Sequence, residues 1–327
     1  MPSRARAIFA AYPELVAVLA AAILGLSVQR PLAWLAGHQG INVLLAILVF
    51  ATAVTIDPAA LRRLAQAWRS LLAAVAVGIT VLPALSWAVS RIVAAGSLRD
   101  GVMAAGLAPC EIASVATTAM AGGEAAVSAG ILIGSTVATV ALAGPILTME
   151  AGRAGVSPGA IIANLALVVA LPLAVGLAAR ASAGRLAATR FLATPRAEAV
   201  ASRTALAAVA ALVALIAAEV RLSVAYLAVA AALLVFLLAS ALVGRLLGVR
   251  TARPTATALL LTTSMRDFAI AAGLAAAAFG PAAAAPLGLY GVAVLVWGTA
   301  VAGVLRQRAA RAGGLADDDT KSYNLKS

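Results

Sequence analysis

Three ionisable residues sit where the chain is otherwise apolar. Glu111 lies in "MAAGLAPCEIASVATTAMAGGEAAVSAG" (103–130), and Arg266 and Asp267 lie side by side in "TALLLTTSMRDFAIAAGLAAAAFGPAAA" (257–284). The remaining acids, such as Asp57, Asp100, Glu124, Glu150 and Asp317 to Asp319, fall at the ends of apolar blocks, in loops or in the tail. A charge at the centre of a membrane helix costs about 2.5–3.5 kcal/mol on insertion scales, so all three should face inward and meet partners. Two chemistries are open to them. Glu111 and Arg266 can form a buried ion pair that locks two helices, or the cluster can line a path for an ion or a charged substrate. The three formal charges sum to −1, which leaves room for a proton.

The elements that must position these groups follow from composition. Hydrophobic residues make up 64% of the 327, charged residues 11%, and mean hydropathy is +1.05. Apolar blocks of about 20 residues recur throughout, the pattern of a polytopic all-α membrane protein. Ten spans are predicted, centred near residues 20, 47, 82, 111, 137, 169, 211, 234, 268 and 294. The first follows "MPSRARAIFAAYPELVA", which has no convincing small-residue cleavage site, and is read as a retained helix. With both termini placed in the cytoplasm, Arg30, Arg91, Arg99, Arg153 and Arg221 fall outside, and every other Lys and Arg except Arg266 falls inside. That split obeys the positive-inside rule. The net charge of +12 thus reports orientation in a lipid bilayer, not nucleic-acid binding. The segment from Arg180 to Arg203 is suited to attract anionic lipid. A single cysteine excludes an internal disulfide, and the single His38 falls in a predicted external loop.

The fourth and ninth spans are the most polar, and an offset of 155 puts Glu111 opposite Arg266. Five spans is an odd number, so the second half is expected to be inserted upside down relative to the first. Inverted repeats with one interrupted polar helix in each half point to a secondary transporter with its site at the midplane. The expected units are a first five-helix repeat over 1–155, a second, inverted repeat over 156–310, and a disordered cytoplasmic tail over 311–327. Pro109 and Gly122-Gly123 are expected to open the fourth span, freeing amides near Ser114 to face an anion. Pro83, Pro145 and Pro172 fall inside the third, fifth and sixth spans as kinks or as hinges.

"APCEIASVATTAMAGGEAAVS" (108–128) resembles the fourth-span motif of the bile acid:sodium symporter family. "TIDPAALRRL" (55–64) is similar to the end of that family's second span, and "GLAAAAFGPAAAAPLGLYGV" to its ninth and tenth spans. The resemblance implies two crossed, broken helices, the fourth and ninth, a panel of outer helices that rocks against them, and a cavity for a small organic anion. It carries Ser114 and Ser128 over as ion ligands. It also shows departures: Val115 stands in place of an Asn, Leu132 of a Thr, Arg266 of the ninth-span Glu and Ile270 of a Gln. Near Val77 and Gly78 the third span lacks the family's Gln. Sodium needs several hard oxygen ligands and is repelled by a guanidinium at short range. Both sodium sites implied by the family are therefore incomplete here. The guanidinium of Arg266 is expected to take the place of the missing cation, neutralised by Glu111 or Asp267.

The arsenite-resistance permeases of the same superfamily are the alternative relatives. They place a Cys in the fourth-span motif, where this chain has Cys110, and an acidic residue where it has Ala269. An enzyme would need a nucleophile with a base or a metal constellation, and no such motif is present. No Gly-rich phosphate loop suggests ATP drive. The expectation is a multi-pass transporter of the inner (plasma) membrane, carrying a small organic anion with no bound cofactor or metal. Sodium coupling is expected to be weak or absent, and proton coupling is open. Its candidate binding residues are Glu111, Ser114, Thr118, Ser128, Arg266 and Asp267, with Cys110 for the metalloid alternative.

Overall fold

Two of the long helices start on a hydroxyl residue followed by proline. Ser157 caps the helix beginning at Pro158, its Oγ accepting from Ala160 N at 3.4 Å, and Thr194 caps the one beginning at Pro195, accepting from Ala197 N at 3.3 Å. Each side chain satisfies an amide that the first turn leaves orphaned, and proline fits there because it has no amide to satisfy. These and the other elements belong to a computed structural model that describes residues 13–56, 67–151, 157–183, 191, 194–220 and 223–324.

The helices are α1 (Pro13–Ser27), α2 (Gln29–Leu35), α3 (Ile41–Thr55), α4 (Trp68–Ser90), α5 (Ser97–Ala105), α6 (Ala113–Met120) and α7 (Ala125–Ala151). They continue as α8 (Pro158–Leu165), α9 (Leu171–Ser182), α10 (Pro195–Ala218), α11 (Ala225–Gly248), α12 (Arg253–Ser264), α13 (Phe268–Phe279) and α14 (Ala285–Asn324). A wide π-helical turn joins α8 to α9, whereas α2 and α3 meet at a kink where His38 and Gln39 leave helical geometry, Gln39 at φ 67°. Among the described residues seven stretches are long and apolar enough to cross a membrane: Gln29–Thr55, Trp68–Ser90, Ala125–Glu150, Pro158–Ser182, Pro195–Ala218, Ala225–Gly248 and Pro281–Arg308. Seven of the ten expected centres fall within them. The other three, 20, 111 and 268, fall on the short α1, between α5 and α6, and at the start of α13. Pro83 and Pro145 lie inside continuous helices, whereas Pro172 sits just after a π turn. Helix α14 runs on to Asn324, into the polar stretch expected to be a disordered tail; its alanines, leucines and arginines favour helix. The Asp57–Leu64 part of the resembling second-span segment lies outside the described residues.

The surface has the chemistry of a lipid-facing one. On α11, Leu234, Leu238, Leu242 and Leu246 form an exposed stripe at four-residue spacing, while Val229, Leu233, Phe236, Ser240 and Gly244 are buried behind it. On α4, Arg69 lies over the Trp68 ring at 5.4 Å and Arg91 over the Trp87 ring at 4.4 Å. At 1.5 Å rise per residue the two tryptophans are separated by about 29 Å, close to the thickness of the bilayer's hydrocarbon core. Aromatic rings with arginines at both ends suit the two headgroup levels.

Helix α10 packs on α1 and α3, and α9 packs on α3. In a second group, α4 packs on α5, α7 and α11, α12 packs on α11, α6 and α7, and α13 packs on α5. Alanine and glycine at these contacts let backbones approach closely, and dispersion then holds helices together where lipid leaves little hydrophobic drive.

Candidate functional site

The two polar stretches cross as unwound backbone. Residues 106–112 separate α5 from α6, and Met265, Arg266 and Asp267 separate α12 from α13. Where they meet, Cys110 and Arg266 form an isolated antiparallel bridge. Glu111 N donates to Met265 O at 2.7 Å, and Asp267 N donates to Pro109 O at 2.9 Å. Each unwound stretch thus supplies the other with a backbone hydrogen bond.

Side chains from neighbouring helices complete the accounting. Ser86 of α4 donates to Met103 O at 2.9 Å, Thr139 of α7 donates to Leu107 O at 3.0 Å, and Ser135 of α7 accepts from Cys110 N at 3.2 Å. Inside a membrane an unpaired amide or carbonyl costs several kcal/mol, so unwound backbone persists only where protein groups satisfy it. None of these three hydroxyls was among the expected site residues. Their roles depend on where the helix opens.

Side chains alternate across extended backbone. The bridge sends Cys110 and Arg266 to one face and Glu111 and Asp267 to the other. Arg266 is 2% exposed, and its Nη2 donates to Ala108 O and, at 3.3 Å, to Gly78 O of α4. A Cβ at Gly78 would lie 3.3 Å from Nη1, so the glycine makes room for the guanidinium. Among the described residues neither Glu111 nor Asp267 comes within ion-pair distance of Arg266, although the neighbouring Asp267 charge still acts on the guanidinium. Glu111 misses it because it is one residue out of register with the bridge, which turns its side chain to the other face.

Glu111 points toward the backbone amides of Ile112 and Ala113 at the start of α6 and of Phe268 at the start of α13, with the Asp267 charge beside it. Asp267 is the N-cap of α13, its Oδ1 accepting from Ile270 N at 2.8 Å. Two helix N-termini therefore converge on two carboxylates, an arrangement the helix dipoles favour. Several buried atoms here have no hydrogen-bond partner in the protein: Glu111 Oε2, Asp267 Oδ2, Ser114 Oγ, Arg266 Nε and the Tyr290 hydroxyl. Tyr290 of α14 is fully buried, close enough to feel the charges of both Arg266 and Glu111.

Of the other expected site residues, Ser114 lies beside Cys110, while Thr118 and Ser128 meet each other, Thr118 donating to Ser128 Oγ at 3.3 Å. All three are buried. The Thr118–Ser128 contact ties α6 to α7 just before Gly122, at φ 72°, turns the chain out of α6. Cys110 is fully buried on the Arg266 face.

A narrow crevice lies beside the crossing. Thr52 of α3, Leu132 and Thr136 of α7, Val169, Ile112 and Ile270 line it. Ile112 follows Glu111, and Ile270 supplies the amide bound by Asp267. The crevice is apolar, with two threonine hydroxyls that are both turned to backbone carbonyls of their own helices.

A polytopic helical membrane protein with charges buried at unwound backbone is of the transporter class. A model of the sodium bile acid symporter family matches residues 42–229, more than half of the chain, and the protein belongs to that family. No curated protein matches the chain.

Proposed function

We propose that the protein is a secondary active transporter of a small organic anion, working by alternating access in the inner (plasma) membrane with both termini in the cytoplasm. In this reading residues 1–155 and 156–310 are two inverted five-span halves. Helices α5 and α6 are the halves of one broken span, and α12 and α13 are the halves of the other. The group containing α1, α3, α9 and α10 moves against the crossed helices, widening the crevice by Ile112 and Ile270 toward one side of the membrane and then the other. An anion's apolar body fits this wall, and the N-termini of α6 and α13 favour negative charge beside it.

One observation carries the further reading that sodium is dispensable. The guanidinium of Arg266 donates to the carbonyl oxygens of Gly78 and Ala108, ligands of the kind a bound cation would use. It acts as a cation fixed to the protein. The hydroxyls of Thr118 and Ser128 satisfy each other, and Val115 and Leu132 offer no oxygen. Metalloid efflux is the weaker reading, because Cys110 is the chain's sole thiol and is sealed behind the bridge. The test is uptake by proteoliposomes of bile acids, keto acids, pantothenate-like anions and arsenite, with sodium or potassium as the salt. Saturable uptake of an organic anion that is indifferent to sodium is expected. Arsenite uptake alone would reverse the choice.

A further inference from the structure

The crossing carries one more negative charge than its own cation balances. On one face of the bridge, Glu111 is 6% exposed and Asp267 fully buried, and each keeps one carboxylate oxygen without a partner. They are diagonal neighbours on paired extended segments, which brings long side chains within reach of each other. Arg266 lies on the other face, its Nη2 occupied by carbonyls. The Tyr290 hydroxyl of α14, which has no partner, lies within reach of the Glu111 charge, and Cys110 and Arg266 act on Asp267 from the other face of the bridge. Toward the crossing and its crevice α3 brings Thr52, α4 brings Gly78 and Ser86, and α7 brings Ser135, Thr136 and Thr139, none of them titratable.

We propose that Glu111 and Asp267 hold one transported proton between them, so that the anion crosses the membrane with H⁺ as its companion. The proposal rests on the transport reading above. A proton from water on one side adds to a carboxylate oxygen of one acid, forming an O–H bond that the unpartnered oxygen of the other accepts. This removes the excess negative charge of the crossing, and an anion can then enter the crevice without meeting net repulsion. On the far side the anion leaves, the O–H bond breaks and the proton returns to water. No electrons change hands. Two carboxylates sharing one proton titrate as a pair, so removing either should abolish the shared state.

The test is infrared difference spectroscopy of the full-length protein in proteoliposomes, stepped from acidic to alkaline pH without any substrate. Wild type should show a protonated-carboxyl C=O band that shifts in D₂O and disappears at alkaline pH. Glu150, also with an unpartnered carboxylate oxygen, is replaced by Gln in every form tested, the reference called wild type included, so that it adds no band of its own. Glu111→Gln and Asp267→Asn should each lose the band. Its persistence in the double variant, or its absence from wild type at every pH, would overturn the proposal, and the wild-type titration decides even if a variant does not fold. The experiment needs no transported anion. Absence of the band would leave the transport reading standing, whereas a titrating band with no flux of any anion would remove that reading and the proton's passage with it, leaving only the shared proton.

Discussion

Glu111 and Arg266 stand next to each other at the crossing yet face opposite ways. Arg266 pairs with Cys110 in the antiparallel bridge, and Glu111 is bonded through its amide to Met265. That one-residue offset separates the cation from the acid and decides what each can do. Arg266 reaches back to α4, and Glu111 reaches the start of α13.

Arg266 should therefore be sensitive to the shape of its cradle. Gly78→Ala brings a methyl to 3.3 Å from Nη1, and either the guanidinium or α4 must give way. Overpacking of this kind costs about 1–3 kcal/mol. A lower melting temperature in detergent, with Gly78→Val lower still, is expected. Arg266→Lys should also melt lower, because an ammonium on a flexible stem replaces a planar fork. Melting of either Gly78 variant at the wild-type temperature would mean that the guanidinium does not need this space.

Asp267 has a structural duty separable from its charge. Asn keeps the oxygen that accepts from Ile270 N, and Ala does not. Loss of an N-cap costs about 0.5–2 kcal/mol. Asp267→Ala should melt below Asp267→Asn, and equal melting of the two would show that the cap contributes nothing.

Sodium should leave the protein indifferent. A ligand that binds only the folded state raises the melting temperature with concentration. Replacing potassium by sodium at constant ionic strength should produce no shift in melting and no change in anion uptake. A saturable rise in either would show that an ion site survives beside Arg266.

Much of the fold was legible because long apolar runs must become spanning helices whatever their neighbours. The polar character of the two crossing stretches was equally plain, since Glu111, Arg266 and Asp267 interrupt alanine-rich segments. Residue pairing at the crossing was not legible. Whether Glu111 meets Arg266 depends on where each helix unwinds and on the parity of an extended bridge, and a helical offset of 155 cannot report parity. Asp267 read as a charge and is also a cap, because the start of α13 was hidden inside what looked like one continuous span. Ser86, Ser135 and Thr139 read as ordinary small residues of membrane helices. Only the open backbone of 106–112 gives them work.

Cys110 should resist reagents that reach the membrane interior. It is fully buried, and its amide is held by Ser135. A membrane-permeant maleimide should label the denatured protein and not the native one, and Cys110→Ser should leave organic-anion uptake within about two-fold of wild type, since a change of this size in the rate is below 1 kcal/mol. Rapid labelling of the native protein, blocked by arsenite, would restore the metalloid reading.

The last prediction compares two double-mutant cycles that the bridge makes unequal. If Glu111 and Asp267 share a face, Glu111→Gln relieves the same repulsion as Asp267→Asn, and the two changes cannot both count in full. Their effects on unfolding free energy should depart from additivity by about 1 kcal/mol or more, as residues in one network do. Glu111→Gln and Arg266→Met remove groups on opposite faces with no ion pair between them, and their effects should add to within about 0.5 kcal/mol. Methionine keeps the length of the arginine stem, so that the cycle reports charge more than lost packing. Melting or denaturant curves of the five variants and wild type supply both cycles. Strong coupling in the second cycle and none in the first would place Glu111 with Arg266 after all, and the separation of cation and acid across the crossing would be wrong.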